Sequence, residues 1–115
     1  MQEVVLRIQD QTGAGKIISE INISLKSNRV TVKEIIEARV IAEVEHAEKT
    51  LNGYKMKERK QVDAEKQIYI ALDAFLKNGY FILIDNFQAQ ELEQQVDIKP
   101  STQLSFVKLT PLVGG

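Results

Sequence analysis

The sequence predicts an α+β domain, a mixed sheet of four to five strands crossed on one face by a long helix, with a second helix inserted. Three observations carry this reading. Residues 3–25 hold two runs of alternating apolar and polar residues around a glycine-containing turn. A capped segment with helical apolar spacing follows from Thr31. Further apolar runs return at 80–84 and 104–109. A hairpin, a crossing helix and later strands that rejoin the sheet describe two packed layers around one core.

In the first run Val4, Leu6 and Ile8 share one face, while Glu3, Arg7 and Gln9 lie opposite with Val5. Period two with β-branched residues reads as a half-buried strand. The segment Asp10-Gln11-Thr12-Gly13-Ala14-Gly15 is a turn by composition. Alternation resumes with Ile17, Ile21, Ile23 and Leu25 on one face and Glu20, Asn22, Ser24 and Lys26 on the other. The hairpin register is expected to bury the isoleucines. Ser27-Asn28-Arg29 breaks the pattern.

Thr31-Val32-Lys33-Glu34 fits a capping box, with Thr31 as N-cap and Glu34 reaching back. Ile35, Ile36, Val40, Val44, Ala47 and Leu51 follow at helical spacing, and Asn52-Gly53 is the expected stop. Tyr54 to Gln61 holds the basic cluster Lys55, Lys57, Arg59 and Lys60, read as a solvated loop. A second helix is expected from about Asp63, with Ile68, Ala71, Leu72, Phe75 and Leu76 on one face and Asn78-Gly79 closing it. Tyr80 to Ile84 reads as a central strand, apolar on both faces. Gln88 to Gln95 is polar and is expected to hold a short edge strand or a helical turn, with Val96 and Ile98 anchoring it to the core. Pro100-Ser101 is a turn, and Leu104, Phe106, Val107 and Leu109 form the last strand.

Composition narrows the function. A chain of 115 residues has room for one modest core. Its 43% hydrophobic and 27% charged residues exclude wholesale disorder. A net charge of −1 argues against nucleic-acid binding through bulk positive charge. No apolar run approaches the ~20 residues that span a bilayer, and the amino-terminus has no signal-peptide pattern. The expectation is a cytoplasmic protein that contacts neither nucleic acid nor membrane. The absence of cysteine removes disulfides, thiolate metal sites and a cysteine nucleophile. His46 is the single histidine, which removes multi-histidine metal sites. It sits among Glu43, Glu45 and Glu48, and all four read as a solvated helix face. Gly13-Ala14-Gly15-Lys16 lacks the spacing and the following helix of a phosphate loop, so it reads as the hairpin turn. The chain is expected to be no enzyme and to hold no cofactor or metal.

The informative residues are at the carboxy-terminus. Gly114 and Gly115 follow closely on the last strand. Without side chains, they can enter a narrow channel and present a carboxylate to another enzyme. Pro111 stiffens the exit from the strand. Leu109, Leu112 and Val113 offer apolar surface for partner enzymes to grip, or else ordinary packing.

With those residues in view, the chain resembles the ubiquitin-like β-grasp family. Met1-Gln2 with Val5 is similar to the opening hairpin of ubiquitin. Thr31-Val32-Lys33-Glu34-Ile35 is similar to its threonine-capped helix, and Phe81-Ile82-Leu83-Ile84 to its central strand. Val96 to Leu104 resembles the segment leading into its last strand. Phe106 to Gly115 also resembles the tails of bacterial sulfur carriers, among them the small subunit of molybdopterin synthase. The resemblance covers residues 1–109 as a β-grasp domain, apart from an insertion at about 53–79, and leaves 110–115 as a flexible Gly-Gly tail. One departure is that 109–115 contains no arginine, so an activating enzyme that selects tail arginines is not expected to recognise it.

The resemblance implies a protein modifier. An activating enzyme would adenylate the Gly115 carboxylate with ATP, a conjugating enzyme would hold it as a thioester on its own cysteine, and target amines would receive it. Gly114 and Gly115 are then the conjugation residues, and Leu109, Pro111, Leu112 and Val113 the partner-binding ones. A processing protease completes the partner set, and distance from eukaryotic members suggests a bacterial pathway. Two alternatives stand beside it: a sulfur carrier with a thiocarboxylate on Gly115, and a β-grasp interaction domain that is never conjugated.

Overall fold

The computed structural model describes residues 3–50 and 56–108, with side chains for 3–46 and 64–108. Strand β1 is Val4–Thr12, with Leu6 and Ile8 facing the core. It runs further than its alternation suggests. Asp10, expected in the turn, is a buried inward position of the strand, because pairing with the last strand carries β1 on to Thr12. The turn itself is tight. The Gly15 amide donates to the Thr12 carbonyl at 2.9 Å, and the Thr12 amide to the Lys16 carbonyl at 2.9 Å. Gly15 has φ +92°, a left-handed conformation that suits glycine.

Strand β2, Ile17–Leu25, is antiparallel to β1. Ile23 and Leu25 are buried as expected, but Ile17 and Ile18 are 50% and 57% exposed. A bulge explains this. Asp10 pairs with Ser19 and Gln11 with Ile17, so Ile18 is the extra residue and the alternation breaks there.

Strand β3, Arg29–Thr31, occupies what reads in the sequence as a simple break. It leads into α1, Val32–Thr50. The capping box forms, with the Glu34 amide donating to Thr31 Oγ1 at 3.1 Å and the Thr31 amide to Glu34 Oε1 at 2.8 Å. Two more amides at this helix start donate to distant carbonyls, Val32 to Gln94 at 3.0 Å and Lys33 to Leu92 at 2.9 Å. Val32, Ile35, Ile36 and Val40 form the buried stripe. The expected stop at Asn52-Gly53 lies outside the described residues.

Helix α2 is Met56–Leu76, starting before the expected Asp63. Lys57, Arg59 and Lys60 therefore sit on helical backbone and not in a loop, while Lys55 lies outside the described residues. The physical reason is local: Met56 to Leu76 contains neither glycine nor proline and is rich in good helix formers. The helix closes at Asn78, whose φ is +62°. The Asn78 amide donates to the Phe75 carbonyl at 3.0 Å and the Gly79 amide to the Ala74 carbonyl at 2.8 Å. This paired pattern is a Schellman cap with asparagine in the left-handed position.

Strand β4, Tyr80–Ile84, turns through Asp85 and Asn86, both at positive φ, into the two-residue strand β5, Phe87–Gln88. Strand β6, Gln95–Asp97, pairs with β3 in a separate small sheet and brings Val96 against Val30. Val96 and Ile98 are buried, as their spacing predicts, and the Pro100-Ser101 turn forms. Strand β7 is Leu104–Lys108.

The main sheet is five-stranded in the order β2-β1-β7-β4-β5, with β1 and β7 parallel and the other pairs antiparallel. This is the expected α+β class in a β-grasp-like arrangement. The central strand, however, is β7. β4 is flanked by the short β5, and only its Ile82 is fully buried. The core joins Ile8, Ile23, Ile82 and Leu104 to α1, and α2 adds Phe75. Among the described residues no helix is long and apolar enough to cross a membrane.

Ile82 has no exposed surface whereas Phe87 is 77% exposed. In urea denaturation Ile82→Ala is expected to cost about 3 kcal/mol, and Phe87→Ala to stay within about 0.5 kcal/mol of the parent.

Candidate functional site

Gly114, Gly115, Leu109, Pro111, Leu112 and Val113 all lie outside the described residues, so the structure brings none of these predicted site residues against a described group. It does describe the base from which they continue, Lys108 at the end of β7.

A charged cluster occupies that base. β1 presents Asp10, α1 presents Arg39 and, one helical turn on, Glu43, and β7 presents Lys108. The Asp10 and Arg39 side chains are 5% and 7% exposed. Their contact is two-pronged: Arg39 Nη1 donates to Asp10 Oδ1, and Nη2 donates to Oδ2 at 2.6 Å. Nη2 also donates to Glu43 Oε2 at 2.8 Å. Ser19 Oγ donates to Asp10 Oδ2 at 3.0 Å, and Lys108 Nζ lies 3.8 Å from the same oxygen. The guanidinium carbon stands 4.9 Å from the centre of the Phe106 ring. Arg39 Nε is buried and makes no hydrogen bond among the described residues.

Burial alone would raise the Asp10 carboxyl, but hydrogen bonds and charge from Arg39, with Ser19 and Lys108, outweigh it and hold the group below the ordinary carboxylate value. Burial would likewise lower Arg39, and the facing Asp10 and Glu43 carboxylates raise it instead. Tyr80 completes the surround. Burial pushes its hydroxyl up to about 12, and it donates to the Ala71 carbonyl at 2.8 Å. Its ring stacks on Phe106 with centroids 5.6 Å apart.

These groups wall a cavity of about 330 Å³ between α1, α2 and the ends of β4 and β7. Ile36, Val40 and Ala71 supply apolar wall, and Arg39, Glu43 and Lys108 the charge. The Asp10–Arg39 contact is buried and two-pronged, with Asp10 held below and Arg39 above its ordinary value, so the cluster is built to fix geometry at the end of β7. Among the described residues no group of three or more His, Asp or Glu side chains is arranged to hold a metal ion.

The opposite face of the sheet is partly apolar at the same end. Leu104 and Phe106 point to the core, so Val107 lies on the far face, where it pairs with Phe81. Both are half-buried.

The ion pair escapes a reading of the sequence that ends β1 at Gln9. Its signal is present nonetheless. Asp10 keeps the parity of Leu6 and Ile8, and Arg39 follows Ile35 and Ile36 by one helical turn, on the buried stripe. Glu43, expected on a solvated face, is half-exposed and bound to Arg39. His46 and Glu45 are exposed, as their positions predict.

The chain matches no family model, no curated protein and no solved structure.

Breaking the buried pair from one side is expected to be costly. Asp10→Ala should lose about 3 kcal/mol in chemical denaturation, whereas Asp10→Leu with Arg39→Met should lie within about 1 kcal/mol of the parent. The folded pKa of Asp10 lies below its unfolded one, so its stabilisation is present above the ordinary value of 3.8 and is lost as pH falls through the folded value. The stability gap between the parent and Asp10→Asn should therefore be full at neutral pH and close progressively in acid. A gap independent of pH would contradict the assignment.

Proposed function

We propose that this chain is a ubiquitin-like protein modifier whose reactive group is the carboxylate of Gly115 when that residue ends the chain. The observation that supports the reading is the position of β7. The strand that precedes Gly114 and Gly115 is the central one of the sheet, held by β1 on one side and β4 on the other, with Lys108 beside Asp10 at its end. A reactive tail starting from such a strand has a fixed base, so an enzyme can grip the domain and receive the terminus in a separate channel. The half-buried Phe81 and Val107 beside that base offer apolar contact for the same enzyme.

The chemistry follows from the carboxylate. Its oxygen attacks the α-phosphorus of ATP and expels pyrophosphate, giving an acyl adenylate. A thiolate of the activating or conjugating enzyme attacks the acyl carbon and releases AMP, leaving a thioester. A target amine then attacks the thioester, loses a proton and releases the thiol, forming an amide. The chain contains no cysteine, so every thiol in this sequence belongs to a partner. It is the substrate of the reactions and not their catalyst. Residues 109–115 contain no arginine, so the cognate activating enzyme must read Leu109, Pro111, Leu112 and Val113 instead.

Mass spectrometry of the tagged protein, purified from its host under denaturing conditions, tests this. Trypsin cuts after Lys108. The expected product is a Leu109-to-Gly115 remnant on lysines of other proteins, abolished by deleting Gly114 and Gly115. A free tail carrying sulfur in place of one carboxylate oxygen would make the protein a sulfur carrier. A tail found only as the plain carboxylate would leave it an interaction domain.

A further inference from the structure

Helix α2 turns one side to its own domain, where Ala71, Leu72 and Phe75 pack on the core. The opposite side presents Tyr69, Ile70 and Leu76, which are 71%, 48% and 63% exposed. Leu76 is expected on the inner face from its place beside Phe75. It is turned outward because it follows Tyr69 by seven residues, close to two full turns, and so shares the side of Tyr69. Large apolar side chains gathered on one exposed face mark an interaction surface, whereas scattered ones do not.

The same face carries Lys66, Asp73 and Lys77. Lys77 Nζ lies 3.0 Å from Asp73 Oδ2, and Lys66 makes no ion pair among the described residues. Glu65 borders the face and is exposed. The order of these residues is self-complementary. Lys66 and Asp73 stand equally far from a point midway between Tyr69 and Ile70. A second α2 laid antiparallel about that point sets each Lys66 against the other copy's Asp73, and each Tyr69 against the other copy's Ile70. Glu65 then stands opposite Ala74, so within 65–74 no residue faces a like charge. A parallel pair would instead set lysine on lysine and aspartate on aspartate.

We infer that two copies of this chain associate through α2, antiparallel and face to face. Tyr69 and Ile70 are buried at the centre, Leu76 extends the apolar contact outward, and two Lys66–Asp73 pairs fix the register. The mirrored order of charge and apolar residues selects a second copy as the occupant. It gives the two-fold interface, in which one residue contacts another and the reverse contact repeats on the far side. The apolar centre supplies affinity, and the charges supply orientation. A single helix pair falls at the small end of specific interfaces, below about 1,200 Å², so the association is reversible. None of these residues belongs to the Asp10–Arg39 cluster or to 109–115.

Sedimentation velocity of the full chain over a wide concentration range tests this. A monomer–dimer equilibrium is expected. Ile70→Asp places charge at the centre and should weaken it about ten-fold. Lys66→Asp leaves carboxylates facing each other at both pairs, and Asp73→Lys leaves ammonium groups facing each other. Each should also weaken self-association about ten-fold. Mixing these two charge variants restores opposite charges across both pairs, so a heterodimer of near-parental affinity is expected. Circular dichroism matching the parent controls for folding. A monomer at every concentration would overturn the proposal and leave the face to a different partner. A dimer indifferent to all three substitutions would overturn it by placing the contact elsewhere. Charge variants that stay monomeric when mixed would overturn the antiparallel pairing.

Discussion

The first and last strands of the main sheet lie side by side and run the same way, from Ile8 opposite Leu104 to Thr12 opposite Lys108. Parallel neighbours cannot be joined by a tight turn, so the chain must leave the sheet and return by a crossover. Almost everything else in the fold lies within that connection. β2 folds back on the outer side of β1, α1 and α2 cross over, and β4 comes to the other side of β7. The core residues Ile8, Ile82 and Leu104, each at 1% exposure or less, meet only once both ends of the chain are in place. Such pairing is non-local, and its closure entropy is incurred before the burial that offsets it.

At the end of this parallel pair the chain buries charge. Asp10 and Arg39 must both leave water, which offsets much of their mutual attraction. What they add is orientation. A two-pronged guanidinium–carboxylate contact is satisfied over a narrow range of positions, so it fixes the rotation of α1 against β1 and β7. Glu43 and Ser19 add hydrogen bonds and Lys108 adds charge, Arg39 Nε is left without a partner among the described residues, and Phe106 lies beneath the guanidinium. The cluster thus tightens the fold at the end of β7.

The sequence by itself determined the local elements. Period two wrote the hairpin, Thr31 and Glu34 wrote the start of α1, and Val96 and Ile98 declared themselves as anchors, since each signal depends only on near neighbours. The terminal glycines, too, were legible as sequence alone. The tertiary structure decided what depends on distant partners. It extended β1 through Asp10, because β7 was there to pair with it. It placed β7 and not the more apolar β4 at the centre, because centrality is a property of pairing and not of hydropathy. It turned the break at Arg29 into a strand, because β6 supplied the other half of the ladder. It joined Asp10 to Arg39, which strand parity and helical spacing mark as inward one by one but do not pair, because each charge is tolerable in the interior only when the other arrives from a different element.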